Sequence, residues 1–418
     1  MSNSNFKYLI FFLSSLFSCL LAIPFSLSLF RQKQSIINKL LISLSGYSFV
    51  LPPILVVYSV IGIYGLKGIL NETFNFYQLL GIKSLFGLKG ILIAHVLLNA
   101  PFATRIFYQN LNTIPKSYVE VAKSMNFGFW LNFFKLEWPI IKQNFFTVFL
   151  IIYILCFLSF AIVMALGGGP RTSTLEVAIY QSVFFELNFN KAIVLSAIQI
   201  TICLSLMLVG FFTLRGTNYF DIQTEDFIYP FSKRKLIVYI DSGIIALFSI
   251  FLFSPIFYIF INFLKNLFNT NFYLNAHFID AFTNSIILCL ITGFFVSFFG
   301  LVISIILVNC RNNFFYQQTL FILSSIILIV SPVIISLGYF IILGELRYVN
   351  FVNFVVIIMI NCIFLIPFAI LILFTKLKNI FLNFEDIKKV FRINEKNYIN
   401  HISSMGYSWH RYKFIKNS

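Results

Sequence analysis

The polar residues that could do chemistry in this chain lie in two short stretches that interrupt a very apolar sequence. The first covers residues 117–126, which read SYVEVAKSMN, and Glu137, Trp138 and Pro139 follow it. The second covers residues 166–181, which read LGGGPRTSTLEVAIYQ. Neither stretch pairs a nucleophile with a base, and no Gly-Lys-Ser/Thr follows the glycines to form a phosphate-binding loop. We therefore expect these residues to form contact surfaces and turns of the chain, and we expect no catalytic residue.

The cysteines and histidines show no pattern typical of a metal site. All six cysteines fall in or at the ends of apolar stretches, without the close pairing that a metal site or a disulfide framework needs. The four histidines show no HExxH or comparable spacing. His95 alone lies within an apolar stretch, where we expect packing or an interhelical hydrogen bond before a role in transport. We expect no metal and no cofactor bound by this chain.

The elements that must position the two polar stretches are membrane helices. Of 418 residues, 59% are hydrophobic and 11% charged, and the mean hydropathy is +0.91, more apolar than a soluble core requires. Apolar stretches near or above the roughly 20 residues that cross a bilayer occur at 8–30, 40–63, 86–108, 144–166, 191–214, 236–262, 281–309, 318–343 and 351–375. The sequence therefore predicts an all-α, polytopic membrane protein with about nine transmembrane helices.

The net charge of +16 comes from basic residues scattered through short loops between the apolar stretches. If the loop at residues 114–144 faces the cytoplasm, strict alternation places most of the 30 basic residues on that side, as the positive-inside rule expects. Residues 166–181 then face the opposite side. This distribution sets membrane orientation, so we expect membrane lipid around the chain and no nucleic-acid partner.

The cytoplasmic loop at residues 114–144 is amphipathic and punctuated. Pro115 suits a helix start, and a break follows from Asn126 to Gly128 before Pro139 opens the next span. Asparagine is the non-glycine residue that best tolerates a positive φ, so Asn126 can form a tight turn.

These two stretches, in this order, resemble the permease subunits of ABC importers for thiamine. The loop is similar to the EAA loop of that family, in which two short helices joined at a glycine dock into a groove on the ATPase. Asn126 stands where the family has the glycine. The resemblance implies that the docking residues of the loop are Tyr118, Glu120, Ala122, Ser124, Asn126, Gly128 and Pro139.

The resemblance also gives the second stretch a place on the outer side of the membrane. There the family faces the periplasmic binding protein and the translocation path, although a tight loop without a contact role is the alternative. The glycines permit sharp turns and close helix approach, and Ser173 or Thr174 could cap the helix that follows. The residues implied on this side are Gly167, Gly168, Gly169, Pro170, Thr174, Glu176, Tyr180 and Gln181.

An internal repeat relates the two halves of the chain. A shift of 280 residues brings Tyr118, Ser124 and Met125 onto identical residues at Tyr398, Ser404 and Met405, and a shift of 266 superposes residues 101–103 on 367–369. We expect a first permease repeat at 1–215, a cytoplasmic linker at 216–235 and a second repeat at 236–418. A second EAA-like loop would begin near residue 396, with docking residues at Tyr398, Ser404 and Gly406.

The second repeat is expected to be incomplete. Under the shift of 280 residues Ser418 falls on Trp138, so the counterparts of Pro139 and of the two spans after it are absent. We therefore expect a C-terminally truncated permease of the type I importer fold that is inactive alone, with a downstream polypeptide as the alternative.

The resemblance implies a multi-pass inner-membrane permease subunit for thiamine or thiamine phosphates. Its implied partners are two copies of a separate ABC ATPase, which would bind the ATP, and a periplasmic thiamine-binding protein. Ferric iron permeases share the duplicated layout and are the near alternative. An ion-coupled secondary transporter is a different class, and it is poorly supported because Asp241 is the one acidic residue clearly inside a span. A membrane enzyme would need clustered catalytic groups that the chain lacks.

Overall fold

The computed structural model describes residues 3–32, 35–46, 51–75, 84–168, 174–213, 235–266, 276–309, 330–344 and 349–391. Within these ranges every regular element is a helix, so the all-α class is confirmed. Eight of the described helical segments are long and apolar enough to cross a membrane: Leu9–Arg31, Pro53–Phe74, Leu88–Leu111, Phe129–Phe157, Phe189–Gly210, Lys235–Asn266, His277–Asn309 and Asn350–Ile370. The remaining predicted stretch, 318–343, is described only from residue 330, where a shorter apolar helix occupies Pro332–Leu343.

The helices are numbered here in chain order. They are α1 (Asn3–Arg31), α2 (Ile36–Leu44), α3 (Pro53–Tyr64), α4 (Ile69–Phe74), α5 (Leu88–Leu111), α6 (Lys116–Ser124), α7 (Phe129–Asn132), α8 (Trp138–Phe157), α9 (Phe160–Leu166), α10 (Leu175–Phe184), α11 (Phe189–Thr213), α12 (Lys235–Asn266), α13 (Ala276–Asn309), α14 (Pro332–Leu343) and α15 (Asn350–Phe391). A π-helical turn at Phe133–Glu137 joins α7 to α8.

Two of the predicted spans are interrupted in the structure. The stretch at 40–63 contains the end of α2 and then α3, which starts at Pro53 because a proline fits the first helical turn and cannot continue a preceding helix. The stretch at 144–166 breaks after Phe157, where Ser159 is extended and α9 begins. The candidate span before that break starts earlier than the apolar run, because α7 and the π-helical turn extend it back to Phe129.

The first of two compact units comprises Met1–Ile287 and Leu328–Val356. Its core lies where α1, α5 and α8 pack together, through fully buried Ile10, Ile91 and Ile152. Edge-on aromatic contacts add to this packing, for example between Phe11 and Phe157 with ring centroids 5.4 Å apart. Helix α1 therefore lies at the centre of this unit, and its last turn ends at Arg31.

The second unit comprises Leu288–Ile327 and Ile357–Ser418. Its described part consists of the last two thirds of α13 and most of α15. Gly300 allows these helices to approach closely, because a Cβ atom there would lie 2.7 Å from Cβ of Ala369. Pro367 lies inside α15, as Pro101 lies inside α5.

Candidate docking and translocation sites

The loop at residues 114–144, which is expected to dock an ATPase and is called the docking loop below, contains two short helices, α6 and α7, joined by a turn. Pro115 occupies the position before the first turn of α6, so the predicted helix start is confirmed. Val119 and Ala122 are buried and hold α6 against the rest of the first unit. The helix ends at Ser124, and α7 begins at Phe129, which confirms the predicted break.

Asn126 supplies the tight turn between these helices. Its φ is +50°, in the left-handed region that favours glycine, as expected for an asparagine in place of the family's glycine. Gly128 has an ordinary φ of −70°. The backbone N–H of Phe127 donates to the carbonyl of Ala122 at 2.9 Å, which closes the end of α6.

The face of the loop that points away from the core is apolar and aromatic. Tyr118 on α6 and Met125, directly after α6, are exposed, and so are Trp130 and Phe134, whose stacked rings have centroids 6.1 Å apart. Glu120 stands on the same exposed helix, and its only described ion pair is the 3.9 Å contact of its Oε1 with Nζ of Lys116. A pair so exposed adds little stability. This face therefore has the composition of a protein contact surface.

On the opposite side of the predicted topology, Gly167 and Gly168 follow α9. Gly168 has a φ of +73°, and a Cβ atom there would lie 3.3 Å from Cβ of Phe86, so the expected sharp turn and close approach are present. The carbonyl of Leu166 accepts a 2.7 Å hydrogen bond from the N–H of Gly87, which ties this turn to the start of α5. Gly169 and Pro170 lie outside the described residues.

The helix after the glycines, α10, begins at a side-chain cap. Thr174 Oγ1 accepts from the N–H of Val177 at 3.4 Å, so Thr174 is the capping residue. Tyr180 packs between Phe160 and Phe184, each with a centroid distance of 4.7 Å. Gln181, the next residue of the helix, is half-buried.

Glu176 is fully buried at the start of α10, outside the eight candidate spans. Gln199 Nε2 on α11 donates to its Oε2 at 2.6 Å, and the hydroxyl of Ser331, just before α14, donates to its Oε1. Burial raises the pKa of the Glu176 carboxyl, and these two hydrogen bonds oppose part of the rise. The carboxyl thus links α10 to α11 and to the start of α14. The same three helices also meet in one apolar cluster of Val183, Ala192 and Leu337.

Residues 3–216 match the family model described as the binding-protein-dependent transport system inner membrane component. The chain belongs to this family. It is therefore a multi-pass inner-membrane transport component and not an enzyme.

Known relatives are similar to this permease over different shares of its length. A thiamine transport system permease protein of Haemophilus influenzae is 31% identical over 412 residues, which are 96% of this chain and 73% of the relative. The corresponding Escherichia coli protein is 36% identical over 203 residues, or 48% of this chain and 37% of the relative. A Brucella abortus protein of the same name is 28% identical over 373 residues, 86% of this chain and 66% of the relative. A ferric transport system permease protein of Actinobacillus pleuropneumoniae is 23% identical over 50% of this chain and 31% of its own length.

An ion cluster at the docking loop of the permease was not predicted from the sequence. Glu137, which the sequence singles out only as part of a Glu-Trp-Pro string, is 1% exposed and pairs with Arg31 at 2.5 Å. Asp241, expected near the cytoplasmic end of its span, lies 3.5 Å from the same arginine. An acidic residue directly before an apolar span indicates a cationic partner, so the sequence contains a signal for Glu137. The sequence could not show that this partner is Arg31.

His95 acts as an interhelical hydrogen-bonding residue, as expected. Its Nδ1 lies 3.0 Å from Oγ of Ser14 on α1, and its Nε2 lies 2.7 Å from Oγ of Ser159 at the break between α8 and α9. Within the described part of the chain, no three His, Cys, Asp or Glu side chains are grouped closely enough to hold a metal ion. The second EAA-like copy, with Tyr398, Ser404 and Gly406, lies outside the described residues.

Proposed function

We propose that this chain is the membrane-spanning permease subunit of an ATP-driven importer for thiamine or thiamine phosphates. The observation that carries the substrate is the similarity to a Haemophilus influenzae thiamine permease along 96% of this chain. Thiamine is a cation with aromatic rings, and aromatic side chains such as Tyr180 and Phe160 at the outer side could contact it through their ring faces.

The partner on the cytoplasmic side is a separate ABC ATPase that holds ATP, and the docking loop is its binding surface. Support comes from the exposed apolar face of Tyr118, Met125, Trp130 and Phe134, which is larger than a connecting loop needs. Two ATPase copies fit the predicted repeat. Helices α3 and α14, both of 12 residues with a proline at the first position, lie at corresponding points of the two halves.

The partner on the outer side is a periplasmic binding protein that delivers the vitamin to the region of residues 167–181. Gly168 and Glu176 in this region are held by packing and hydrogen bonds that involve the start of α5, α11 and the start of α14. A surface supported by several helices can transmit the arrival of a partner to the membrane domain.

The test is reconstitution in liposomes with the importer polypeptides encoded beside this gene. We expect the tagged chain to retain an ATPase, and we expect ATP hydrolysis to rise when thiamine-loaded binding protein is added. The same binding protein without thiamine is the control. Stimulation by an iron-loaded binding protein in place of the thiamine-loaded one would favour the ferric importer, and failure to retain any ATPase would contradict the permease assignment.

A further inference from the structure

Three ionisable side chains meet at the C-terminal end of α1. Arg31 donates to Glu137 through two parallel bonds, Nε to Oε1 at 2.9 Å and Nη2 to Oε2 at 2.5 Å. Its Nη1 lies 3.5 Å from Oδ1 of Asp241. All three residues are at least 93% buried. One guanidinium is therefore shared by two carboxylates, and the two carboxylates belong to different elements.

Arg31 contacts the docking loop at both ends of the helical segment formed by α7 and the π-helical turn, residues 129–137. Glu137 is the last residue of the π-helical turn, directly before α8. The Cζ atom of Arg31 also lies 4.7 Å from the ring centroid of Phe129, the first residue of α7. A bidentate arginine–carboxylate pair has fixed geometry, so the loop cannot shift relative to α1 without moving or breaking it.

The same turn of α1 is bonded to α12 along its other side. Ser28 Oγ donates to Oδ1 of Asp241 at 3.0 Å. Gln32 Nε2 donates to the carbonyl of Val238 at 3.1 Å and to Oγ of Ser242 at 3.2 Å. Because α12 is the first span of the predicted second repeat, these bonds link that repeat to the docking loop through α1.

We propose that Arg31, Glu137 and Asp241 form the joint that carries movement of the docking loop into the membrane helices. This inference rests on the proposed function, since the movement comes from the ATPase. When the ATPase displaces the loop, Glu137 moves with it, Arg31 follows through its two parallel bonds, and Asp241 passes the force to α12. The three side chains are positioning residues that set how strongly the outer side and the ATPase are coupled.

The test measures coupling separately from assembly, in the liposome-reconstituted importer. Arg31→Lys keeps the charge but loses the fork that bonds two carboxylates at once. We expect its membrane level and ATPase retention to be unchanged, while stimulation by thiamine-loaded binding protein falls about tenfold. Glu137→Gln keeps the volume and one acceptor oxygen, so it carries the test if the lysine variant fails to accumulate.

The double variant Arg31→Lys/Glu137→Gln shows whether the pair acts as a unit. We expect it to lose no more stimulation than Arg31→Lys alone, because both changes break one joint. Lys191→Gln is the matched control, since it breaks the 2.7 Å ion pair with Glu186 at a half-exposed position. Thiamine-loaded binding protein should stimulate ATP hydrolysis normally in this variant. Full stimulation in both single variants, or losses that simply add in the double, would overturn the joint. Loss of ATPase from the unchanged chain would instead overturn the proposed function.

Discussion

At the residue scale, the buried polar groups of this permease connect separate helices. His95 joins α1 to the break after α8, and Glu176 joins α10 to α11 and to the start of α14. Glu137 and Asp241 share Arg31, and their sequence positions are more than a hundred residues apart. A buried carboxylate is costly unless it is hydrogen-bonded, so each of these contacts holds its helices in one arrangement.

The raised pKa of Glu176 leads to a prediction about pH. In the folded protein burial keeps the proton on this carboxyl at pH values where the unfolded chain, with a pKa near 4.5, has released it. Its contribution to stability is therefore complete below the unfolded pKa and is lost as pH rises towards the folded pKa.

The variant Glu176→Gln removes this titration while keeping an oxygen that accepts from Gln199 or Ser331. We expect its thermal midpoint in detergent to depend less on pH than that of the parent, in the window above pH 4.5. Glu186→Gln, at an exposed position, is the control and should keep the parent's pH dependence. Equal slopes for Glu176→Gln and the parent would contradict the assignment of the proton to Glu176.

At the element scale, the docking loop shows what a sequence reveals and what it leaves hidden. Pro115, Asn126 and the apolar runs act locally, so the helix start, the turn and most of the spans could be predicted. The partners of Glu137 and Glu176 could not be predicted, because Arg31 and Ser331 lie 106 and 155 residues away in the sequence. The break at Ser159 was hidden for another reason, since an apolar run has the same hydropathy whether its helix is continuous or interrupted.

The turn at Asn126 gives a paired prediction for the docking loop. Asn126→Gly keeps a residue that accepts the φ of +50°, whereas Asn126→Val places a β-branched side chain in a conformation that costs about 1–2 kcal/mol or more. We expect the valine variant to retain less ATPase on purification, and the glycine variant to match the parent. If the two variants bind the ATPase equally, the turn does not position the docking surface.

The exposed charge on α6 provides a second prediction at this scale. Glu120→Lys reverses a charge whose pair with Lys116 is exposed and worth less than about 1 kcal/mol, so folding and membrane insertion should be unaffected. Retention of the ATPase should fall, because the reversed charge lies on the face assigned to docking. Lys116→Gln, which breaks the same pair without reversing Glu120, is the matched control. An equal loss in both variants would point to the ion pair itself and not to contact with a partner.

At the scale of the whole molecule, the docking loop and the Glu176 region must lie on opposite sides of the membrane for the proposed transport cycle. One candidate span, Phe129–Phe157, separates Met125 from Phe185, since α9 has only seven residues and is too short to cross again. The basic residues favour the side of Met125 as cytoplasmic. Both side chains are exposed, at 65% and 71%, so a thiol placed at either position is open to a reagent that can reach its side.

Met125→Cys and Phe185→Cys, each in a chain whose native cysteines are replaced, therefore test the topology as a matched pair. We expect a membrane-impermeant maleimide to label the cysteine at position 185 in intact spheroplasts, and the one at position 125 only after the membrane is opened. Labelling of both after opening is the control for reactivity. The reverse pattern would place the docking loop outside, away from any source of ATP, and would remove the basis for both the ATPase contact and the joint at Arg31.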